Sequence, residues 1–555
     1  MSAAKAIHEE MIARGFERDR SNTTALRYTG LIKARGRDVR VAIEFHDRYL
    51  TRIPKLQLLN RNADLPNAVA HIEENDRVCY AREENLLLNP LNPKGSVALC
   101  LATMNIALDR IIANDLSDEI AQEFPQHWLG KGVYIDLPAE FSGRAALYLI
   151  REKSDAPFLL ICESENSLRR FGLTPEERSK IAKTEIPIPV FSVDSNLTFL
   201  PGQRPPNTLH ELMNWLNCSA PQIAKAIISS FTRSWPSPLY FLLHGPNGSV
   251  GGSLQLPRGL EKSIQRKDFL TRMLTSRSTK IGVSRITGIR TDADFIVSRN
   301  MHNQPDLRAK RVALVGIGTI GGFLAKFLAQ SGAGMGGGQL VLIDEQIFAP
   351  GNIGRHYLGL AHVNKNKAKA MQEELNYLIP DCDVTSFPGN ILDKTGDLLE
   401  FDLVVDATGE MPLSEVLNSE FIKVRSKGGN TAAMLHVWLA GNGVATQALL
   451  VDGDQYACFR CLRLDETGQE RFRLLRPDHP VQITPANCGE GAYFAYGVGA
   501  PAIAAGLAIQ MCLDWAKGDP SPRFRTIRIV NEATFEVKDS NVSRRGGCQI
   551  CGTKH

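Results

Sequence analysis

The segment Val315-Gly316-Ile317-Gly318-Thr319-Ile320-Gly321-Gly322 follows directly on the apolar run Arg311 to Val315, and a second apolar run, Leu340 to Ile343, ends in Asp344. Short apolar runs bounded by turn residues fit strands buried on both faces. A glycine turn that opens a helix leaves backbone N–H groups aimed at one point, where the helix dipole favours an anion. An acid closing the second strand stands where ribose hydroxyls are held in such folds. A third run, Asp402-Leu403-Val404-Val405-Asp406, alternates with helical segments. Residues 296–555 are thereby restricted to an α/β fold, a mostly parallel sheet covered on both faces. The glycine pattern alone would also suit an NAD or FAD site.

The residues downstream separate these chemistries. Asn352, Arg355 and Lys367 have no task in hydride transfer, but they suit ATP. When a carboxylate attacks the α-phosphate, charge builds on the phosphates, so cations and backbone N–H groups must already be aimed there. Gly316, Gly318 and Gly321 allow close backbone approach, and Asp344 suits the ribose. Arg355 offers a planar fork, Lys367 a compact charge at the start of a helix, and Asn352 a hold on a phosphate or ribose oxygen. Lys369 reads as a solvated helix position.

The series Asp344, Asn352-x-x-Arg355 and Lys367-Ala368 resembles the ThiF/MoeB family of adenylyltransferases, which includes the ubiquitin-activating enzymes. The resemblance runs from about Arg299 to the C-terminus. It implies a Rossmann-like adenylation domain, use of ATP and Mg2+, and a homodimer. It also implies an arginine that reaches the partner subunit's nucleotide, a place taken here by Arg299. Where the family has a metal-binding Asp in Asp-x-Thr-Asp, this chain reads Asp406-Ala407-Thr408-Gly409-Glu410. Mg2+ then falls to Asp406 or Glu410, or is held differently.

Two Cys-x-x-Cys knuckles, Cys458/Cys461 and Cys548/Cys551, supply four soft thiolates, the donor set of a closed structural Zn2+ site. The resembled family has such a clamp, with the same Cys-x-x-Cys-Leu start. Between the knuckles, Cys488 sits in the polar loop Thr484 to Gly491, ahead of a long apolar helix. In ubiquitin-activating enzymes a cysteine of this loop takes the acyl group from the adenylate, and Cys488 matches it. Cys382 and Cys512 have core settings.

Residues 1–150 read as an α+β unit, with a strand at Val41–Phe45 and helices over Ala98–Ala113 and Ser117–Trp128. The stretch His71 to Tyr80, the strand-like Pro54 to Leu58 before it and Glu123 to Trp128 after it resemble ubiquitin-conjugating enzymes. The resemblance implies Cys79 as the acyl-carrying thiol; Cys100, in an apolar helical setting, is the competitor. Residues 151–295 form a connecting domain to which no chemistry is assigned. Its segment Gly245 to Gly252 reads as a connector loop.

A net charge of +4 over 555 residues, with no basic block, gives no ground for nucleic-acid binding. The most membrane-like stretch, Val498 to Met511, is too short to span a membrane and reads as a buried helix, and a cytoplasmic location is expected. The whole resembles bacterial fusions of a conjugating half with an activating half, found in antiphage systems of the CBASS and ubiquitin-like types. That resemblance implies adenylation of a partner protein's C-terminus, capture on Cys488, relay to Cys79 and conjugation to a target. The donor would be a ubiquitin-like protein, which is favoured, or a nucleotidyltransferase. Other readings are a sulfur-carrier or tRNA-modifying adenylyltransferase without a relay, a non-catalytic nucleotide-binding scaffold, or an NAD-dependent oxidoreductase.

Overall fold

The computed structural model describes the chain except residues 1–2, 22–24, 48, 61–70, 73–75, 82–85, 114–120, 122–123, 139, 152–155, 184–186, 200–202, 235–236, 256–271, 273, 275, 277, 302–303, 380, 429–431, 466–467, 486–491 and 553–555. Its residues fall into two compact units, one of Met1–Ser167 and Thr174–Asp292, the other of Leu168–Leu173 and Ala293–His555.

The first unit begins with the helix Ala3–Ala13 and an antiparallel sheet of β1 (Glu17–Asp19), β2 (Leu26–Ala34), β3 (Arg37–Phe45), β4 (Lys55–Leu58) and β5 (Arg77–Val78), hydrogen-bonded in that order. The helix Pro93–Ala113 packs on it. Val97, Cys100, Met104, Leu108 and Ile111 recur at three- and four-residue steps and are all buried, the stripe a helix needs to cover a sheet. This is the one described helix long and apolar enough to cross a membrane by composition. It was not the stretch singled out on sequence, and its apolar stripe is used in this core.

A second sheet follows: β6 (Lys131–Asp136), β7 (Gly143–Ile150), β8 (Phe158–Cys162), β9 (Ala182–Lys183), β10 (Ile188–Ser192), β11 (Leu239–Gly245), β12 (Gly248–Leu254) and β13 (Val283–Arg290). Because β10 pairs with both β11 and β7, the sheet closes on itself. Val133, Ile135, Leu147, Ile161, Val190 and Leu242 fill one face. Leu239, Phe241 and Leu243 point the other way, towards the helices Leu209–Ser219 and Pro221–Ser234. β6 and β7 lie within residues 1–150 yet belong to this sheet, because β6 finds its partner in β13. The expected helix over Ser117–Trp128 is described only in part, as Phe124–Trp128.

The segment Gly245 to Gly252 is not a loop but a tight hairpin turn and strand. Its glycines serve packing: a Cβ on Gly251 would lie 2.2 Å from the Phe241 carbonyl oxygen, and Trp128 Nε1 donates to Gly251 O at 2.9 Å.

The second unit is doubly wound. β14 (Arg311–Val315), β15 (Gln339–Ile343), β16 (Val384–Phe387), β17 (Leu403–Asp406) and β18 (Ala433–Ala440) form a parallel sheet ordered β16-β15-β14-β17-β18, extended by antiparallel β19 (Ala445–Val451) and β22 (Phe524–Arg528). Two short strands, β20 (Ile483–Pro485) and β21 (Ala492–Phe494), pair separately. Val312 and Leu314 pack with the helices Thr319–Gln330 and Gly499–Ala516 on one face; Ala313 and Val315 pack with Leu417 and Phe421 on the other. Winding reverses at β14, and a ligand crevice belongs beyond the strand ends at that point.

Candidate adenylation site and thiol centres

The crevice is there. A cavity of about 390 Å3 lies beyond β14, β15 and β17, lined by Gly316, Gly318, Asp344, Gln346, Thr408 and Glu410 among others. Gly316 has φ +85°, a backbone that L side chains rarely adopt, and a Cβ there would lie 2.8 Å from the Thr408 backbone. On Gly321 a Cβ would collide with the Gly316 carbonyl at 1.8 Å, so that glycine lets the helix start against the turn. Gly318 caps this helix and has open space where its Cβ would be, as a phosphate cradle requires.

His356 stabilises the turn from behind. Leu358 N–H donates to its Nδ1 at 3.0 Å and its Nε2 lies 2.9 Å from the Ile317 carbonyl, which together require the neutral Nε2–H tautomer. Burial accordingly pulls its pKa down to about 4.

Asp344 closes β15 as expected. Its carboxylate accepts from Ile317 N and Gln346 N, both at 2.7 Å. Burial pushes its pKa up against those bonds and the charge of Lys367. Lys367 is 6% exposed, begins the helix Lys367–Leu378 capped by Asn366, and donates from Nζ to Gln346 Oε1 at 2.6 Å. Burial pulls the ammonium's pKa down, against the attraction of Asp344. A buried cation whose hydrogen bond goes to a neutral amide suits an anionic ligand. Lys369 is exposed.

Arg355 ends the short helix Pro350–Arg355, and Asn352 Oδ1 accepts from Ala349 N within it. Neither lines the cavity. Arg299 is exposed in the last turn of Ala293–Met301 and, like Lys367, is not among the residues that line the cavity.

Asp406 is where the sequence expectation needs correcting. The side chain is 1% exposed and accepts from His436 Nδ1, Ser414 Oγ, Thr408 Oγ1 and Thr408 N at 2.6–3.1 Å. Those four bonds use both oxygens and outweigh burial to hold its pKa below the usual carboxylate range. Asp406 therefore braces the turn after β17 and is not open to a metal. Glu410 lines the cavity and is exposed, with its backbone N–H on Thr408 Oγ1. Gln346 and His356 were not legible in the sequence, because neither carries a pattern of its own, and Thr408 was legible only as part of the Asp-x-Thr pattern.

The four knuckle thiols converge. Cys458, Cys461, Cys548 and Cys551 are buried, their Sγ atoms all within 4.8 Å of one another. Two pairs at 3.8 Å match the ~3.8 Å edge of a tetrahedron with ~2.3 Å Zn–S bonds, and one at 3.3 Å is somewhat shorter. The Arg545 N–H directed at Cys461 Sγ is the backbone support a thiolate uses. The donor set fits Zn2+.

Cys79 is exposed beside β5, with its N–H on the His71 carbonyl at 2.8 Å. It borders a cavity of about 470 Å3 lined by Arg52, Lys55, Arg77 and Tyr80. Cys100 is 1% exposed, and burial pushes its thiol up to about 11, the profile of inert packing. Cys382 and Cys512 are likewise buried. Cys488 lies outside the described residues.

Comparison with known proteins finds two families in the chain. Residues 293–550 match the ThiF family, and residues 5–132 match the prokaryotic E2 family B. The chain is 28% identical over 512 residues to the ATP-dependent ubiquitin transferase-like protein Cap2 of Pseudomonas aeruginosa, covering 90% of each chain. It is 24% identical over 524 residues to the protein of that name from Vibrio cholerae, covering 87% of this chain and 86% of that one. Among solved structures, E. coli MccB with ATP is matched at 19% identity and TM-score 0.33, over 44% of this chain and 68% of that one.

Proposed function

We propose, for a chain that joins a ThiF-family adenylation domain to a prokaryotic E2 domain, that it activates the C-terminal carboxylate of a partner protein with ATP and conjugates it to a target in bacterial antiphage defence. The observation that carries this reading is the cavity at the β14 switch point, where the Gly318 cradle, Asp344 and Glu410 converge and Lys367 stands behind Gln346.

In this reading Asp344 holds the ribose, and Lys367 and Arg355 meet the phosphates with Asn352 beside them. Glu410 takes the Mg2+ in place of the residue that Gly409 lacks. Arg299 reaches the partner subunit's nucleotide in a homodimer. The partner's carboxylate oxygen attacks the α-phosphorus and pyrophosphate leaves. The Cys488 thiolate then attacks the acyl carbon and AMP leaves, which preserves the activation as a thioester. Exchange onto Cys79 frees Cys488, and an amine of the target displaces Cys79 to give an amide. Exposure and an adjoining cavity favour Cys79 over Cys100. The donor is a small ubiquitin-like protein, or else a nucleotidyltransferase. The four-cysteine cluster holds structural Zn2+ and takes no part in the chemistry, and the enzyme acts in the cytoplasm.

Intact mass after incubation with ATP, Mg2+ and candidate donor proteins tests this. A thiol-reversible gain of the donor's mass less one water is expected, lost in Cys488→Ala. Pyrophosphate exchange should fall at least ~100-fold in Lys367→Ala. Full exchange in that variant would remove the adenylation reading.

A further inference from the structure

Strands β20 and β21 flank the Cys488 segment in sequence, and Arg355 and Thr319 hold β21 and the residue Tyr496 beyond it, with β20 paired to β21. Arg355 donates from Nη1 to the Phe494 carbonyl at 3.0 Å. Its guanidinium lies over the Tyr493 and Tyr496 rings at 5.6 and 4.9 Å. Tyr496 places its hydroxyl 3.0 Å from Thr319 Oγ1, on the first residue of the helix that the glycine turn opens. Among the described residues Arg355 Nε is buried without a hydrogen-bond partner, so the strand pair engages the guanidinium through Nη1 and its face. The strand pair does not need these bonds to close. Asn442 already clamps its ends, donating to Gln482 O and Ala495 O and accepting from Gln482 N.

We propose that Tyr496 is a positioning residue that couples ATP at the glycine turn to the order of the β20–β21 pair. The proposal rests on the reading that the ATP phosphates lie by Arg355 and the Thr319 helix start. A guanidinium can stack on an aromatic ring through its face while its edge binds phosphate, so Tyr496 and the nucleotide do not compete for Arg355. Each instead holds Arg355 in the orientation the other needs. By linkage, ATP then strengthens the hold on β20–β21, and loosening that hold weakens ATP by the same factor. ATP occupancy thereby orders the two strands that lead into and out of the Cys488 segment before the acyl group must be captured.

Hydrogen exchange and calorimetric titration of the full chain with ATP and Mg2+ test this. ATP should protect residues 316–322 together with 483–485 and 492–496. Tyr496→Phe and Thr319→Val each remove the same bond while keeping the packing. Each should weaken ATP binding roughly three- to tenfold and abolish the added strand protection, and the double variant should be no weaker than either single one. Thr319→Val reads the same bond should Tyr496→Phe fold poorly. Protection of the turn without the strands, or effects that add in the double variant, would overturn the coupling and leave the nucleotide site standing. Protection of neither region would overturn both.

Discussion

His436 Nδ1 lies 2.8 Å from Asp406 Oδ2, and both side chains are 1% exposed. An acid in a nucleotide-site motif is thus spent on a neighbouring strand, while Glu410, four positions on, faces the cavity. Asp406→Asn should cost roughly 2–5 kcal/mol, because it breaks a buried network, and should lower the melting temperature. Glu410→Gln should melt like wild type but need more Mg2+ for ATP binding. Thermal melts and Mg2+ titrations distinguish the two. An Asp406→Asn variant of normal stability that has lost its metal response would reverse the assignment.

The two thiols of the N-terminal domain should behave oppositely. Cys79→Ala should leave pyrophosphate exchange intact and abolish transfer to the target. Cys100→Ala should leave transfer intact and cost about 1 kcal/mol or less in stability, because a small buried thiol is replaced by a methyl group. Conjugation assays with each variant check this, and transfer that survives loss of Cys79 would exclude it as the carrier.

Stripping the four-cysteine cluster should be a folding event. Removing the metal with a chelator, or making Cys461→Ser, should lower the melting temperature by roughly 10 °C or more. One equivalent of zinc per chain should be found by elemental analysis before treatment. Residues 456–475 and 540–551 should lose exchange protection first, because the knuckles join them. A chain that melts unchanged after metal removal would exclude a structural ion.

Acid should loosen the glycine turn through His356. Its folded pKa is depressed from 6.5 to about 4, first by burial and then by the nearby Lys367. The unfolded chain therefore takes up the proton first as pH falls. Stability is lost between about pH 6.5 and 4, by about 3 kcal/mol from this residue. His356→Gln should be less stable at pH 8, yet should lose less stability across that interval. Parallel melting curves for the two proteins would contradict the neutral tautomer.

What could be read in advance follows from how far apart the cooperating residues lie. Gly316, Gly318, Gly321 and Asp344 occupy adjoining strand ends within one βαβ unit, so their spacing carried the pattern. Cys100 was legible because Val97, Cys100, Met104 and Leu108 keep helical spacing. The choice between Asp406 and Glu410 was not legible, because the role of Asp406 depends on His436 across the β17–β18 pairing, and no local spacing reports that contact. Gly251 read as a loop residue because the reason for its glycine, the approach of Phe241 and Trp128, lies in other elements. Arg355 was recognised by its motif, whereas Tyr493 and Tyr496 meet it only through tertiary contact.

The chain passes into the closed sheet through β6 and out through β13, and these two strands lie parallel and adjacent, with Lys131 opposite Ile286 and Ile135 opposite Arg290. From Lys131 to Arg290 the backbone thus advances only four register steps, about 13 Å along the strands, plus one strand spacing of about 5 Å. Lengthening the loops between β6 and β13 would leave that stride unchanged, because the pairing of the two strands sets it. Insertions between β6 and β13 thus leave the entry and exit of this sheet side by side.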